Sequence, residues 1–200
     1  DRPVNAMVRN WVGQPGSPLV TARREADALV LRQERFTFLP QPSDQRWLIP
    51  VTLRLIDADG ASRTETILMD GPEARVETGS AVACKLNAGQ TGFYRVKYAD
   101  PEHLRRLGGL AAAGALPAED RWGLQNDLYA LVVRGDAGLE DYLGFLEHYR
   151  NEEAYLPLSS IASNLAHAHF VAGPEARGRI EDLACPLYER VLRRIGFTPS

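Results

Sequence analysis

The sequence predicts a β-sandwich followed by an all-α domain of HEAT/armadillo-like helical hairpins. Three observations carry this prediction. Residues 19–98 break into short runs of period two separated by turn residues, and after Asp100-Pro101 the period changes to about 3.6 and stays there. The third is size: 200 residues, 44% of them hydrophobic, suffice for one large core or two modest ones.

The elements follow in order. Val4, Met7, Val8 and Trp11 have the i, i+3, i+4, i+7 spacing of a helix face, and Gly13, Pro15, Gly16 and Pro18 end that helix. Strands are expected around Leu19–Arg23, Ala28–Phe38, Trp47–Ile56, Thr64–Met69, Ala74–Glu77, Ala81–Leu86 and Gly92–Tyr98. Seven strands at this spacing suggest a sandwich. In the clearest, Trp47, Ile49, Val51, Leu53 and Leu55 share a face, and Pro50 implies an edge or a bulge. Asp57-Ala58-Asp59-Gly60 turns it back into Thr64–Met69 as a hairpin.

The stretch from Lys85 to Tyr98 is the most distinctive. Asn87 and Gly89 fit positions of positive φ, and the chain then alternates, with Tyr94, Val96 and Tyr98 on a core face and Arg95 and Lys97 expected to be solvated. Candidate helices follow at Pro101–Ala113, Pro117–Arg134, Leu139–Tyr149, Leu156–Val171 and Pro174–Ile195. Their short connections imply antiparallel neighbours, as in bundles or helical-hairpin solenoids. Cys185-Pro186 reads as a kink or break in the last of them.

Charge and composition exclude little but point consistently. Net charge is −3, with 13 basic and 12 acidic residues in the first half and 10 and 14 in the second, so no basic field favours nucleic acid or an anionic membrane as a partner. No apolar run is long enough to cross a bilayer. Two cysteines, Cys84 and Cys185, do not make a disulfide framework, and a reducing, cytoplasmic setting is expected.

Catalytic constellations are missing from the sequence. No His-Glu-x-x-His occurs, and His167 and His169 diverge by about 200° on a helix, which prevents joint chelation. Glu147 and His148 are adjacent and also diverge. Ser159-Ser160 lacks a nucleophile elbow and reads as helix initiation, and Gly108-Gly109 and Gly135-Asp136-Ala137-Gly138 lack a Walker lysine. The polar face Glu119-Asp120-Arg121-Trp122 with Gln125-Asn126-Asp127 reads as solvated or paired with a neighbouring domain. No catalytic, cofactor-binding or metal-ligating residue is assigned.

Taken in order, Trp11-Val12-Gly13-Gln14-Pro15-Gly16-Ser17-Pro18-Leu19-Val20, Trp47-Leu48-Ile49-Pro50-Val51, Lys85-Leu86-Asn87 with Gly92-Phe93-Tyr94-Arg95-Val96-Lys97-Tyr98, and Asp120-Arg121 with Leu124, Asp127 and Leu131 resemble the aminopeptidase N family of zinc metallopeptidases. The resemblance covers essentially the whole chain. It implies that residues 1–13 end the last helix of a catalytic domain, that residues 14–100 form a β-sandwich spacer, and that residues 101–200 begin a helical C-terminal domain. Zinc, its ligands and the catalytic Glu would lie before Asp1, so the parent enzyme would hold zinc and this chain no cofactor. The implied partners are the catalytic domain of the same polypeptide and, in the parent, peptide substrates.

The implied role is to brace the catalytic domain and help enclose the peptide chamber, without activity of its own. The start at Asp1-Arg2-Pro3, with no initiator Met, fits an excised segment. The competing reading is a free-standing adaptor in which sandwich and helices bind a protein partner. A self-contained hydrolase is disfavoured by the missing nucleophile and metal sets.

Overall fold

A short helix, seven strands and five further helices follow one another along the chain in this computed structural model, which describes residues 4–39 and 41–197. Residues 1–3, where the chain was expected to begin as an excised piece, lie outside the described residues.

Helix α1 (Val4–Val12) has no buried residue but is tied down through its last turn. Trp11 donates its indole N–H to the Leu48 carbonyl at 2.9 Å, and Asn10 bonds both Leu48 N and the Arg46 carbonyl. Strands β1 (Ser17–Glu25) and β2 (Ala28–Phe36) form an antiparallel hairpin. Next come β3 (Ile49–Ile56), β4 (Ser62–Met69), β5 (Glu73–Glu77), β6 (Ala83–Leu86) and β7 (Arg95–Tyr98). They make a four-stranded sheet in the order β5-β2-β1-β7 and a three-stranded sheet in the order β4-β3-β6. The last strand, β7, pairs in parallel with β1, from Leu19↔Arg95 to Ala22↔Tyr98.

The two sheets share one apolar core. Val20, Leu29, Leu31 and Val96 from the first meet Ile49, Val51, Leu53, Leu55 and Met69 from the second, and all are nearly or fully withdrawn from solvent. Alternation produces this. Along β3 the odd-numbered residues are buried and Pro50, Thr52 and Arg54 are not, as a half-buried strand requires.

Trp47 and Leu48 fall outside β3, contrary to the expected start. Their backbone groups are partnered by side chains: Gln33 bonds both the N–H and the carbonyl of Trp47 at 2.9 Å. Pro50 sits within β3 where the ladder to β6, which starts at Leu53↔Leu86, has not begun. Its missing N–H therefore leaves no ladder bond unmade.

The helices are α2 (Pro101–Ala112), α3 (Ala118–Arg134), α4 (Leu139–Leu146), α5 (Tyr155–Val171) and α6 (Pro174–Arg194). Asp100 caps α2 by accepting the Glu102 N–H at 3.0 Å, with Pro101 at the first helical position, where its missing N–H has no intrahelical partner to lose. Gly135, at φ 85°, closes α3. A second apolar core joins α2 to α6 and includes Leu107, Leu124, Tyr142, Leu146, Ile161 and Ile180. It also takes in Ile56 and Ala83 from the three-stranded sheet, so strands and helices are packed together.

Three expectations on the helical side are corrected. Helix α4 stops at Leu146 and continues only as a 3₁₀ turn over Glu147–Tyr149. Helix α6 runs unbroken through Pro186. Ser159 and Ser160 do not start α5: they lie one turn inside it, and Ser159 bonds back to the Leu156 carbonyl.

Candidate functional site

The chemistry-bearing residues converge where the Lys85–Tyr98 stretch meets α3. Asn87 adopts a left-handed backbone (φ 54°), and its side chain spans the turn, accepting from Gly92 N at 2.8 Å and donating to the Gly92 carbonyl at 2.9 Å. Gly89 is also left-handed. The turn thereby points the Gly89 N–H at α3, where Asp120 Oδ1 accepts it at 2.7 Å.

Asp120 lies in the first turn of α3 and is fully buried. Its Oδ2 accepts from Arg54 Nε at 2.9 Å, and Lys85 Nζ stands 3.7 Å from Oδ1. Lys85 is only 1% exposed and also donates to the carbonyls of Leu86 and Asn87. Burial lowers the Lys85 pKa, and the neighbouring Asp120 charge opposes that shift.

Asp127 repeats the arrangement two turns on. It accepts from Arg95 Nη1 at 3.0 Å and from Val96 N at 3.1 Å. Burial raises its pKa, with Arg95 pulling the other way. Beyond the helix end, Asp136 receives Lys97 at 3.1 Å. Arg95 and Lys97 keep about a third of their side-chain surface in solvent but are not free as expected; Arg95 meets Asp127 of α3 and Lys97 meets Asp136 just past it, because β7 is an edge strand lying against that helix. Between the two buried aspartates, Gly123 leaves room for the Gln90 amide, which a Cβ there would overlap.

A second polar set lies between α3 and α5. Gln125 Oε1 accepts from Tyr142 Oη at 2.9 Å and Asn164 Nδ2 at 3.0 Å, while Gln125 Nε2 donates to Ser160 at 2.8 Å. One turn further, Tyr129 Oη lies 2.7 Å from His167 Nδ1. Sequence reasoning missed Tyr142 and Asn164, which look apolar-face and surface residues respectively. Their signal was a single polar atom at the right helical phase on each of three helices.

The remaining reactive groups are dispersed. His169 faces Glu181 at 2.7 Å, and His103 Nε2 is 2.9 Å from the Cys84 carbonyl. Cys84 and Cys185 are free, and burial pushes the Cys84 thiol up to about 11, so it stays protonated at neutral pH. Among the described residues no group of three or more His, Cys, Asp or Glu converges as a metal site needs. A cavity of about 420 Å³ between β7, α2, α3 and α4 has an apolar floor of Leu104, Leu128, Leu131 and Phe145.

Two packed sheets and a set of helices, joined across their contact by the Lys85–Asp120 and Arg95–Asp127 ion pairs, define a sheet-plus-helix unit. A family model described as ERAP1-like C-terminal domain matches residues 83–200, and the chain belongs to that family. The match begins at β6 and so includes the Asn87 turn, β7 and every helix from α2 on.

Curated relatives extend the likeness to the sheets. Aminopeptidase M1-A of Oryza sativa subsp. japonica is 30% identical across 98% of this chain and 23% of its own length. Aminopeptidase M1 of Arabidopsis thaliana is 31% identical across 99% of the chain and 24% of its length. The Tricorn protease-interacting factor F2 of Thermoplasma acidophilum is 28% identical across 98% and 23%. The chain therefore spans about a quarter of the length of these relatives. No helix among the described residues is long and apolar enough to cross a membrane.

Proposed function

We propose that this chain is the non-catalytic C-terminal portion of a zinc-dependent aminopeptidase whose parent removes N-terminal amino acids from peptides. The observation that carries the proposal is the pairing of coverages: nearly all of this chain aligns with about a quarter of proteins named aminopeptidases. Of the four histidines, His103, His167 and His169 face Cys84, Tyr129 and Glu181, and His148 packs against Phe145, so among the described residues no ligands converge on a zinc ion. The parent's metal would be held by other residues.

In this reading residues 1–13 end the catalytic domain's last helix, residues 14–100 are a β-sandwich spacer, and residues 101–200 open a HEAT/armadillo-like helical domain. The chain braces the catalytic domain and shapes the chamber that admits peptides, in a cytoplasmic enzyme. Support comes from the junction: Lys85–Asp120 and Arg95–Asp127 hold spacer and helices at one angle, which a brace requires. The adaptor reading gains nothing from these relatives, because this chain matches a part of each and not a free-standing protein.

Antibodies raised against this chain test the proposal in source cells. The expected capture is a polypeptide roughly four times this length, with chelator-sensitive hydrolysis of aminoacyl arylamides. Capture of a free 22.1 kDa chain with no such activity would overturn it.

A further inference from the structure

We propose that the outer edge of β4 is a self-association surface that pairs antiparallel with β4 of a second copy in a single register. The edge is open. Strand β4 ends the three-stranded sheet, bonds only to β3, and exposes Ser62, Arg63, Thr64 and Thr66. An eight-residue edge strand with no proline, lysine or bulge is a template for another strand.

Hydrogen-bond phase identifies which groups are free. The Asp57 N–H bonds the Ala61 carbonyl at 2.9 Å, and this pair continues the β3–β4 register. Since bonded and non-bonded pairs alternate in an antiparallel ladder, the odd-numbered residues of β4 bond inward to β3. Ser62, Thr64, Thr66 and Leu68 therefore turn their N–H and C=O outward.

Charge then selects the register. A two-fold axis through Thr64 sets Thr64 opposite its copy, Ser62 opposite Thr66, and Arg63 opposite Glu65 on both sides. Arg63 and Glu65 already reach each other at 3.0 Å within one chain, so their heads lie together at this edge. Shifting the axis to Arg63 or to Glu65 would set like charges face to face in the close, non-bonded pairs, which is unfavourable. An axis at Thr66 would put Arg63 opposite Met69 and Glu65 opposite Ile67, with no charge matched. Only the Thr64 axis satisfies the outward backbone groups and both ion pairs, and it adds hydroxyl pairs on the outer face. The two three-stranded sheets would become one continuous sheet. A second copy is thus the occupant to which this edge is complementary.

Sedimentation equilibrium of the 200-residue chain tests the surface. The wild type should show a reversible dimer. Arg63→Glu, which opposes two carboxylates at both symmetric positions, should weaken association about tenfold or more, and the charge-reversed pair Arg63→Glu/Glu65→Arg should restore it. Thr64→Pro removes an outward donor without touching the β3 ladder and should give a folded monomer by circular dichroism. A wild type that stays monomeric at millimolar concentration would overturn the proposal. So would a dimer indifferent to Arg63→Glu and Thr64→Pro, or one that the double reversal fails to restore.

Discussion

Lys85 Nζ and Asp120 Oδ1 lie 3.7 Å apart with both side chains withdrawn from water, one on the last strand of the three-stranded sheet and the other in the first turn of α3. A buried charge pair adds little net stability by itself, because desolvation offsets its attraction. Its effect is on uniqueness. The pair, the Gly89 N–H and Arg54 are satisfied only when sheet and helix meet in this one way.

Replacing Asp120 by Ala should therefore cost about 3–5 kcal/mol, because Lys85 is left buried beside carbonyls without its ion-pair partner, with only the more distant Asp127 charge opposing. Urea unfolding followed by tryptophan fluorescence gives the loss. Lys85→Met should cost less, since Asp120 keeps Arg54 and the Gly89 N–H.

Gly123→Ala should destabilise by about 1–3 kcal/mol, because the new methyl overlaps the Gln90 amide packed against α3. Adding Gln90→Gly should recover most of the loss, as it removes that amide and relieves a left-handed non-glycine residue. Equal losses in the single and double variants would remove Gln90 as the cause.

Acid should weaken the fold through His103. Burial lowers its pKa below the usual 6.5, the Cys84 backbone bond opposing, with Arg24, Arg106 and Asp100 as the charges that face it. The unfolded chain then binds more protons between the lowered pKa and 6.5. Stability is full above pH 6.5 and declines as pH falls through that window, by about 1.4 kcal/mol per pH unit at most. Urea midpoints from pH 7.5 to 5 measure this, and His103→Gln should reduce the decline, the remainder coming from His148, whose pKa burial also lowers.

The thiols should react at two rates. Cys185 is exposed, whereas Cys84 is fully buried with its pKa pushed up to about 11. A chromogenic disulfide reagent at pH 8 should titrate one thiol in the native chain and the second only in denaturant. Two fast thiols would contradict the packing of β6 against α2.

Much of this architecture was legible in the chain because local signals agreed. Turn glycines and Asn87 separated the strands, Asp100-Pro101 marked the change of period, and leucines at helical spacing traced α3 and α4. What the sequence hid were relationships across long separations. Arg95 and Lys97 looked like an outward polar face, since nothing local to β7 shows that Asp127 and Asp136 will stand opposite. Pro186 looked like a helix break, because local pattern cannot weigh Leu187, buried in the helical core one residue later. The Trp47–Leu48 backbone looked like strand, and only the fold brings Gln33, Asn10 and Trp11 to it.

The decisive measurement is zinc-dependent hydrolysis of aminoacyl arylamides by the longer polypeptide proposed to contain this chain, assayed whole and with residues 14–197 removed. Turnover is expected in the whole polypeptide, none from the 200-residue chain alone, and loss of turnover with retained zinc in the truncated form. Chelator-sensitive turnover by the isolated chain, or undiminished turnover after its removal, would contradict the proposal.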